Sequence, residues 1–335
     1  MTRELSQLWQ RGCEFLGTKY AIMGGAMTWV SERHLVSAIS NGGGFGILAS
    51  GSMPPALLAA EISATRAMTD KPFGVNLITM HPQLDELIEI CLSLNMSHVV
   101  LAGGVPTTPT IEKLKEAGTK VICFAPTLAL AKRMAKAGAD ALVIEGMEAG
   151  GHVGAVSTGV LAQEILPALR EVPVFVAGGI GRGEAILAYL EMGAAGCQLG
   201  TRFVAAYECR AHPEFKKAYM RSSARDAVLS VQLDPRFPVI PVRALRNHAT
   251  EAFLETQREV IEAFNQGRLT QEEASLKIEH FWAGALRRAV VDGDIRQGSL
   301  MAGQSVGMVK KEQSAQEILE ELYEQALNML KQRQK

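Results

Sequence analysis

Over the first two-thirds of the chain, short and almost wholly apolar runs alternate with stretches whose apolar residues recur at helical spacing. The runs fall at 20–27, 45–50, 73–79, 98–103, 120–125, 141–146, 174–179 and 196–203. They show no in–out alternation, which is the pattern of strands in a parallel sheet covered on both faces. Between them lie segments such as LDELIEICLSL, TIEKLKEAG, TLALAKRMAKAG, LAQEILPALREV and GEAILAYLEMG, with apolar positions three and four apart. The repeat, roughly 20–30 residues, leaves room for the helical crossover that each parallel pair needs. Eight such strands predict an α/β fold of the (β/α)8 barrel type, with an open doubly wound sheet as the competing arrangement. The barrel is favoured because Gly, Asn, His and Thr gather at the strands' C-terminal ends, the face on which barrels build their sites.

After Phe203 the rhythm changes. A Pro-rich segment, LDPRFPVIPV, leads into a largely polar helical stretch, then a second Gly-rich region (AGALRRAVVDGDIRQGSLMAGQ) and a closing amphipathic helix. The division this predicts is a barrel over 1–211, a small helical subdomain on the substrate side over 212–285, and a segment over 286–335 that returns to the barrel.

Composition narrows the function. Apolar residues at 47% and charged residues at 21% are ordinary for a soluble globular chain, and 335 residues suffice for one large core with an appendage. A formal net charge of −1 supplies no basic field for nucleic acid or an anionic membrane. The five cysteines are dispersed without CxxC spacing, which argues against a disulfide framework or a zinc site and suits a reducing compartment. The first residues lack an apolar signal segment and no run is long enough to span a membrane, so a cytoplasmic location is expected.

The candidate chemistry lies at strand ends. VAGGIGRGEA follows the seventh run and LGTRF closes the eighth. In barrels these two ends commonly hold a phosphate on backbone N–H groups. Gly178, Gly179, Gly181 and Gly183 would let the backbone approach the anion, and Gly200 and Thr201 would add an N–H and a hydroxyl. The plainer alternative is that these glycines only make tight turns. Asn76 sits inside an apolar strand, where its amide must either tie strands together or read a polar heterocycle. His152, in EGMEAGGHVG after the sixth run, is the histidine best placed for proton chemistry. A lone loop histidine is more often structural. His81 could border the same face, whereas His98 begins a strand and so belongs to the opposite end. Glu145 and Glu148 flank the His152 turn. A glycosidase would want an aromatic sugar platform beside such carboxylates, and aromatics are only 6%. Glu148 reads instead as an orienting or ion-binding group. No metal-ligand spacing, nucleophile elbow or P-loop occurs.

Taken together and in order, YAIMGGAMTWV, KPFGVNL, EGMEAGGHVG, VAGGI, LGTRF and GSLMAGQSVG resemble the nitronate monooxygenase and enoyl-ACP reductase II superfamily, once called 2-nitropropane dioxygenases. The similarity runs over essentially the whole chain and looks closest to the enoyl-ACP reductase II branch. The resemblance implies an FMN-containing barrel with NAD(P)H as co-substrate. It implies that Ala26, Met27 and Thr28 line the flavin, that Asn76 binds it, and that Gly150 lies near its ring. Ala177, Gly178, Gly179, Gly200 and Thr201 would hold the phosphate, with Gln304 and Ser299 beside the flavin and His152 as the active-site histidine. Relatives usually carry QGGM where this chain has GGAM at 24–27; because backbone groups make most contacts there, FMN binding is expected to survive. The segment 233–241 also departs from the reductase pattern. Some relatives use a monovalent cation and many are homodimers.

The activity this implies is reduction of a trans-2-enoyl thioester, including one carried on acyl carrier protein, with ping-pong kinetics. Alternatives within the superfamily are oxidation of alkyl nitronates with O2 and NAD(P)H:quinone reduction. A non-catalytic phosphate-ligand barrel is the alternative from outside the enzymes, while an aldolase would need a lysine at a strand end that this chain lacks.

Overall fold

A computed structural model describes residues 4–237, 241–281 and 284–333. Each predicted apolar run forms a strand: β1 (Ile22–Gly24), β2 (Gly46–Ala49), β3 (Phe73–Ile78), β4 (His98–Ala102), β5 (Lys120–Phe124), β6 (Ala141–Glu145), β8 (Val174–Ala177) and β9 (Gly196–Leu199). The two-residue β7 (Gly151–His152) lies outside the barrel. All eight barrel strands are parallel, in the order β1-β9-β8-β6-β5-β4-β3-β2. The ring closes through a parallel bridge between Met23 and Phe45, where Gly24 N–H donates to Phe45 O at 2.8 Å and Phe45 N–H to Ile22 O at 2.9 Å. Closure removes sheet edges, and it explains why nearly every strand position is buried.

The two ends of the barrel are unlike. At the N-terminal end, the helix Gln10–Leu16 plugs the opening. Phe15 packs edge-on to His98 with centroids 5.4 Å apart, and Phe45 packs on the other side of the same imidazole at 4.9 Å. His98 is buried, within 3.0 Å of Phe15 O and of Ser97 Oγ, and burial pushes its pKa down to about 4. This neutral, packed imidazole belongs to the structural end, as its place at the start of β4 predicts. The C-terminal end is left open for the site.

The region after Thr201 is not uniformly helical. Its first helix, Pro213–Arg221, buries Phe215 and Tyr219 in the barrel core, and two short strands follow, β10 (Ala227–Leu229) and β11 (Val242–Leu245). These strands join β7 in a three-stranded antiparallel sheet with Val242 opposite His152 and Arg243 opposite Gly151. Helices His248–Asn265 and Gln271–His280 form a second small core with Phe237, Phe253, Val260, Ala274 and Ile278. Residues 238–240, the middle of the Pro-rich segment, lie outside the described residues. The closing helix, Ala315–Arg333, returns to the barrel against the helix Gly183–Glu191. Among the described residues no helix is long and apolar enough to cross a membrane.

Candidate active site

A cavity of about 310 Å³ opens at the C-terminal ends of the strands. Of the residues that the resemblance assigns to the site, eleven line it: Ala26, Met27, Thr28, Asn76, Gly150, His152, Ala177, Gly178, Gly179, Gly200 and Thr201. Gln304 does not. It opens a 3-10 helix, Gln304–Met308, in which Gly303 and Ser305 face the cavity, and its own N–H is taken by Glu148 O at 2.9 Å. Ser299 also falls short of the wall, fully buried with an unpartnered hydroxyl. His81 accepts from Gln83 N–H and is absent from the wall.

One corner presents backbone donors of the kind an anion accepts. Gly178 and Gly179 have φ values of +96° and +72°, a backbone that side-chain-bearing residues rarely adopt. Their N–H groups and those of Gly200 and Thr201 have no acceptor among the described residues. The Thr201 hydroxyl accepts Gly303 N–H at 3.0 Å and keeps its own proton for a ligand. Converging free N–H groups are what a phosphate requires. Gly181 and Gly183, expected in the same role, serve packing instead: a Cβ at Gly183 would lie 1.9 Å from Leu322 O in the closing helix, and one at Gly181 2.7 Å from Met308 Cε.

The wall next to this corner carries polar side chains with nothing to bond. Asn76 is 7% exposed and Gln198 6% exposed, and neither amide has a hydrogen-bond partner among the described residues. Buried amides are nearly always satisfied, so an unpaired pair on a cavity wall marks the place of a polar ligand. The turn after β1 adjoins Gln198 and Gly200 and supplies the neighbouring wall. Ser31 holds it, accepting Met27 N–H at 3.0 Å and donating to Gly25 O at 2.9 Å. At Gly24 a Cβ would come within 2.5 Å of Ile39 Cδ1, so the packing of this chain has closed around the glycine.

His152 lines the same cavity from the loop that follows β6. Its loop is fixed at several points. Glu148 Oε2 accepts both the N–H and the hydroxyl of Thr158 at 2.9 Å, capping the helix Thr158–Ile165. Val153 N–H donates to Pro241 O at 3.0 Å. The buried Arg243 donates from Nε to Met147 O at 2.9 Å and from Nη1 to Ala227 O at 2.6 Å. The loop is therefore held between the barrel and the inserted strands. Partial desolvation holds the His152 pKa below the usual imidazole value, which favours the neutral ring at pH 7. Glu148 is the orienting group, and the carboxylate pair separates into two unlike roles: Glu145 alone lines the cavity.

Sequence reading missed Gln198, Ser31 and Arg243. The first sat inside an apolar run and nothing marked which way it faced; the other two act through residues distant in sequence. Among the described residues no group of His, Cys, Asp and Glu is arranged to hold a metal ion.

Comparison with known proteins gives the family. The profile of the family described as nitronate monooxygenase matches residues 10–325. A protein of Mycobacterium tuberculosis, named (3aS,4S,5R,7aS)-5-hydroxy-7a-methyl-1-oxo-octahydro-1H-indene-4-carboxyl-CoA dehydrogenase, is 31% identical, with 95% of this chain and 96% of that protein covered. Among solved structures, FabK from Thermotoga maritima is similar at a TM-score of 0.88 and 36% identity, covering 97% of this chain and 98% of that one. A nitroalkane oxidase from Streptomyces ansochromogenes gives 0.77 and 27%, covering 95% and 98%. With a profile match over nearly its whole length and oxidoreductases among its relatives, the chain is an oxidoreductase that belongs to the nitronate monooxygenase family.

Proposed function

We propose that the chain is an FMN-dependent, NAD(P)H-using oxidoreductase that acts on an acyl thioester, reducing a trans-2-enoyl group. The observation that carries the flavin is the pairing of a phosphate cradle at Gly178, Gly179, Gly200 and Thr201 with the unpartnered amides of Asn76 and Gln198. The residues present fit a phosphate-bearing polar heterocycle. Bound FMN would supply the hydride chemistry, which no side chain can perform. The thioester reading is supported by the name of the Mycobacterium tuberculosis relative, a carboxyl-CoA dehydrogenase, and by the sequence's likeness to the enoyl-ACP reductase II branch.

The protein's part is orientation and proton handling. The backbone cradle fixes the phosphate end. Asn76 and Gln198 read the polar edge of the ring. A ring N–H of neutral His152 would donate to the thioester carbonyl, which draws electron density from the β-carbon that accepts hydride and stabilises the charge that develops on the oxygen before the α-carbon takes a proton. Met301, Leu286 and Phe215 give the cavity an apolar side suited to an acyl chain.

A second reading, nitronate oxidation, is favoured by the same His152: a neutral imidazole accepts a proton from the carbon of a nitro compound. Anaerobic mixing separates the two. Bleaching of the flavin by NADH or NADPH, followed by reoxidation with a crotonyl or octenoyl thioester, is the expected result. Reduction by a nitronate with no response to either nicotinamide would reject the reductase. His152→Ala should keep the flavin and lose turnover.

A further inference from the structure

Three titratable side chains line the cavity: Glu145, His152 and Tyr219. Tyr219 is committed, its hydroxyl donating to Met301 O at 2.5 Å. Glu145 is not. It ends β6 in register with Ala177 of β8, which is itself in register with Gln198 of β9. The three form one row across the barrel floor, and Ala177 puts only a methyl group between the two polar side chains. Glu145 has no hydrogen bond or ion pair among the described residues. No Lys or Arg lines the cavity. On the strands flanking β6, β5 turns Phe124 to the cavity and β8 turns Ala177, neither of them charged. On the loop above, Glu148 is bonded to Thr158 and Arg243 to Met147 and Ala227. His152 hangs from that loop on β7, paired with β11, whereas Glu145 belongs to the barrel strand β6.

We propose that Glu145 is a protonated carboxyl group that donates a hydrogen bond from the barrel floor to the ring of the bound flavin. It acts on the cofactor, while His152 acts on the substrate. The inference rests on the FMN reading. Its chemistry follows from the surroundings: a carboxyl group with protein on every side but one and no cation nearby keeps its proton. Burial alone pushes its pKa up to about 8. As an acid it offers a donor to a ring acceptor. As a carboxylate it would put an unpaired negative charge against the ring and disfavour the electron-rich reduced flavin.

The test uses the oxidised holoprotein without substrate. Its visible flavin spectrum is followed from pH 6 to 9.5 (a range about 2 units below to 1.5 above the Glu145 value). One reversible transition centred near pH 8 is expected in the wild type, and none in Glu145→Gln, which is isosteric and cannot ionise. Dye-equilibrated reduction should show the wild-type midpoint potential falling below that of Glu145→Gln above pH 8 and matching it below pH 7. A flavin-loaded wild type without the transition, or a Glu145→Gln variant that retains it, overturns this role and leaves the proposed function intact. A protein that takes up no FMN on reconstitution overturns the proposed function itself, and this role with it.

Discussion

Arg243 tests whether the inserted strands place His152, the histidine proposed to act on the substrate. The perturbation is Arg243→Met, which keeps most of the aliphatic stem inside the three-stranded sheet and removes both donors. In the native protein these reach Met147 O, at the start of the His152 loop, and Ala227 O, on β10. A hydrogen bond from a charged donor contributes about 1.5–3 kcal/mol. Removing the guanidinium also relieves the cost of burying a charge, so the net loss is smaller than the sum, about 2–4 kcal/mol. Part of that loss is local. With Met147 released, the loop is held by Glu148, Pro241 and the β7–β11 pairing, and a shift of about 1 Å in a catalytic group lowers turnover by about 10²-fold. Urea unfolding of the holoprotein measures the first effect, and steady-state kcat with a saturating thioester measures the second. Arg243→Lys, which can reach one carbonyl as a point charge, should fall between the wild type and Arg243→Met in both. Unfolding within about 0.5 kcal/mol of the wild type together with unchanged kcat in Arg243→Met would refute the reasoning.

Three further outcomes follow from the same structure. His98 has a folded pKa near 4 against 6.5 for an unperturbed imidazole, so its contribution is fully present above pH 6.5 and is lost as pH falls toward 4; urea unfolding at pH 7 and pH 4.5 should show the loss, about 3 kcal/mol at its limit, and His98→Asn should abolish that part of the slope. Glu148→Ala removes the cap on Thr158 N–H and should destabilise by about 1–2 kcal/mol, seen as a lower midpoint in urea, with kcat reduced because the His152 loop loses an anchor. Gly178→Ala places a Cβ 2.9 Å from both Gly146 O and Thr158 Oγ1 on a backbone at φ +96°, so FMN binding, followed by quenching of flavin fluorescence, should weaken at least tenfold while substitution at the open Gly193 leaves it unchanged.

The sequence by itself determined the barrel. Eight apolar runs at the right spacing admit few arrangements that bury both faces of every strand, and strand ends are marked by the residues that cannot continue them. It also determined most of the cavity wall, because a barrel turns the order of strand ends in the chain into a ring of neighbours in space; Asn76, Gly178, Gly200 and His152 become adjacent by closure alone. Where the chain's periodicity was silent, only the tertiary structure decided. Which glycines of GGIGRG face a ligand depends on the closing helix, which claims Gly183 from about 140 residues away in sequence. That Gln304 turns from the cavity while Gly303 and Ser305 face it depends on one carbonyl, that of Glu148. Two carboxyl groups three residues apart read alike in the sequence, yet one caps a helix and the other stands alone in the cavity, because their surroundings come from other strands. The position of His152 was settled by Arg243, Val242 and Pro241, in a segment the sequence showed as a helical appendage; long-range β pairing and buried charge leave no local periodicity to read.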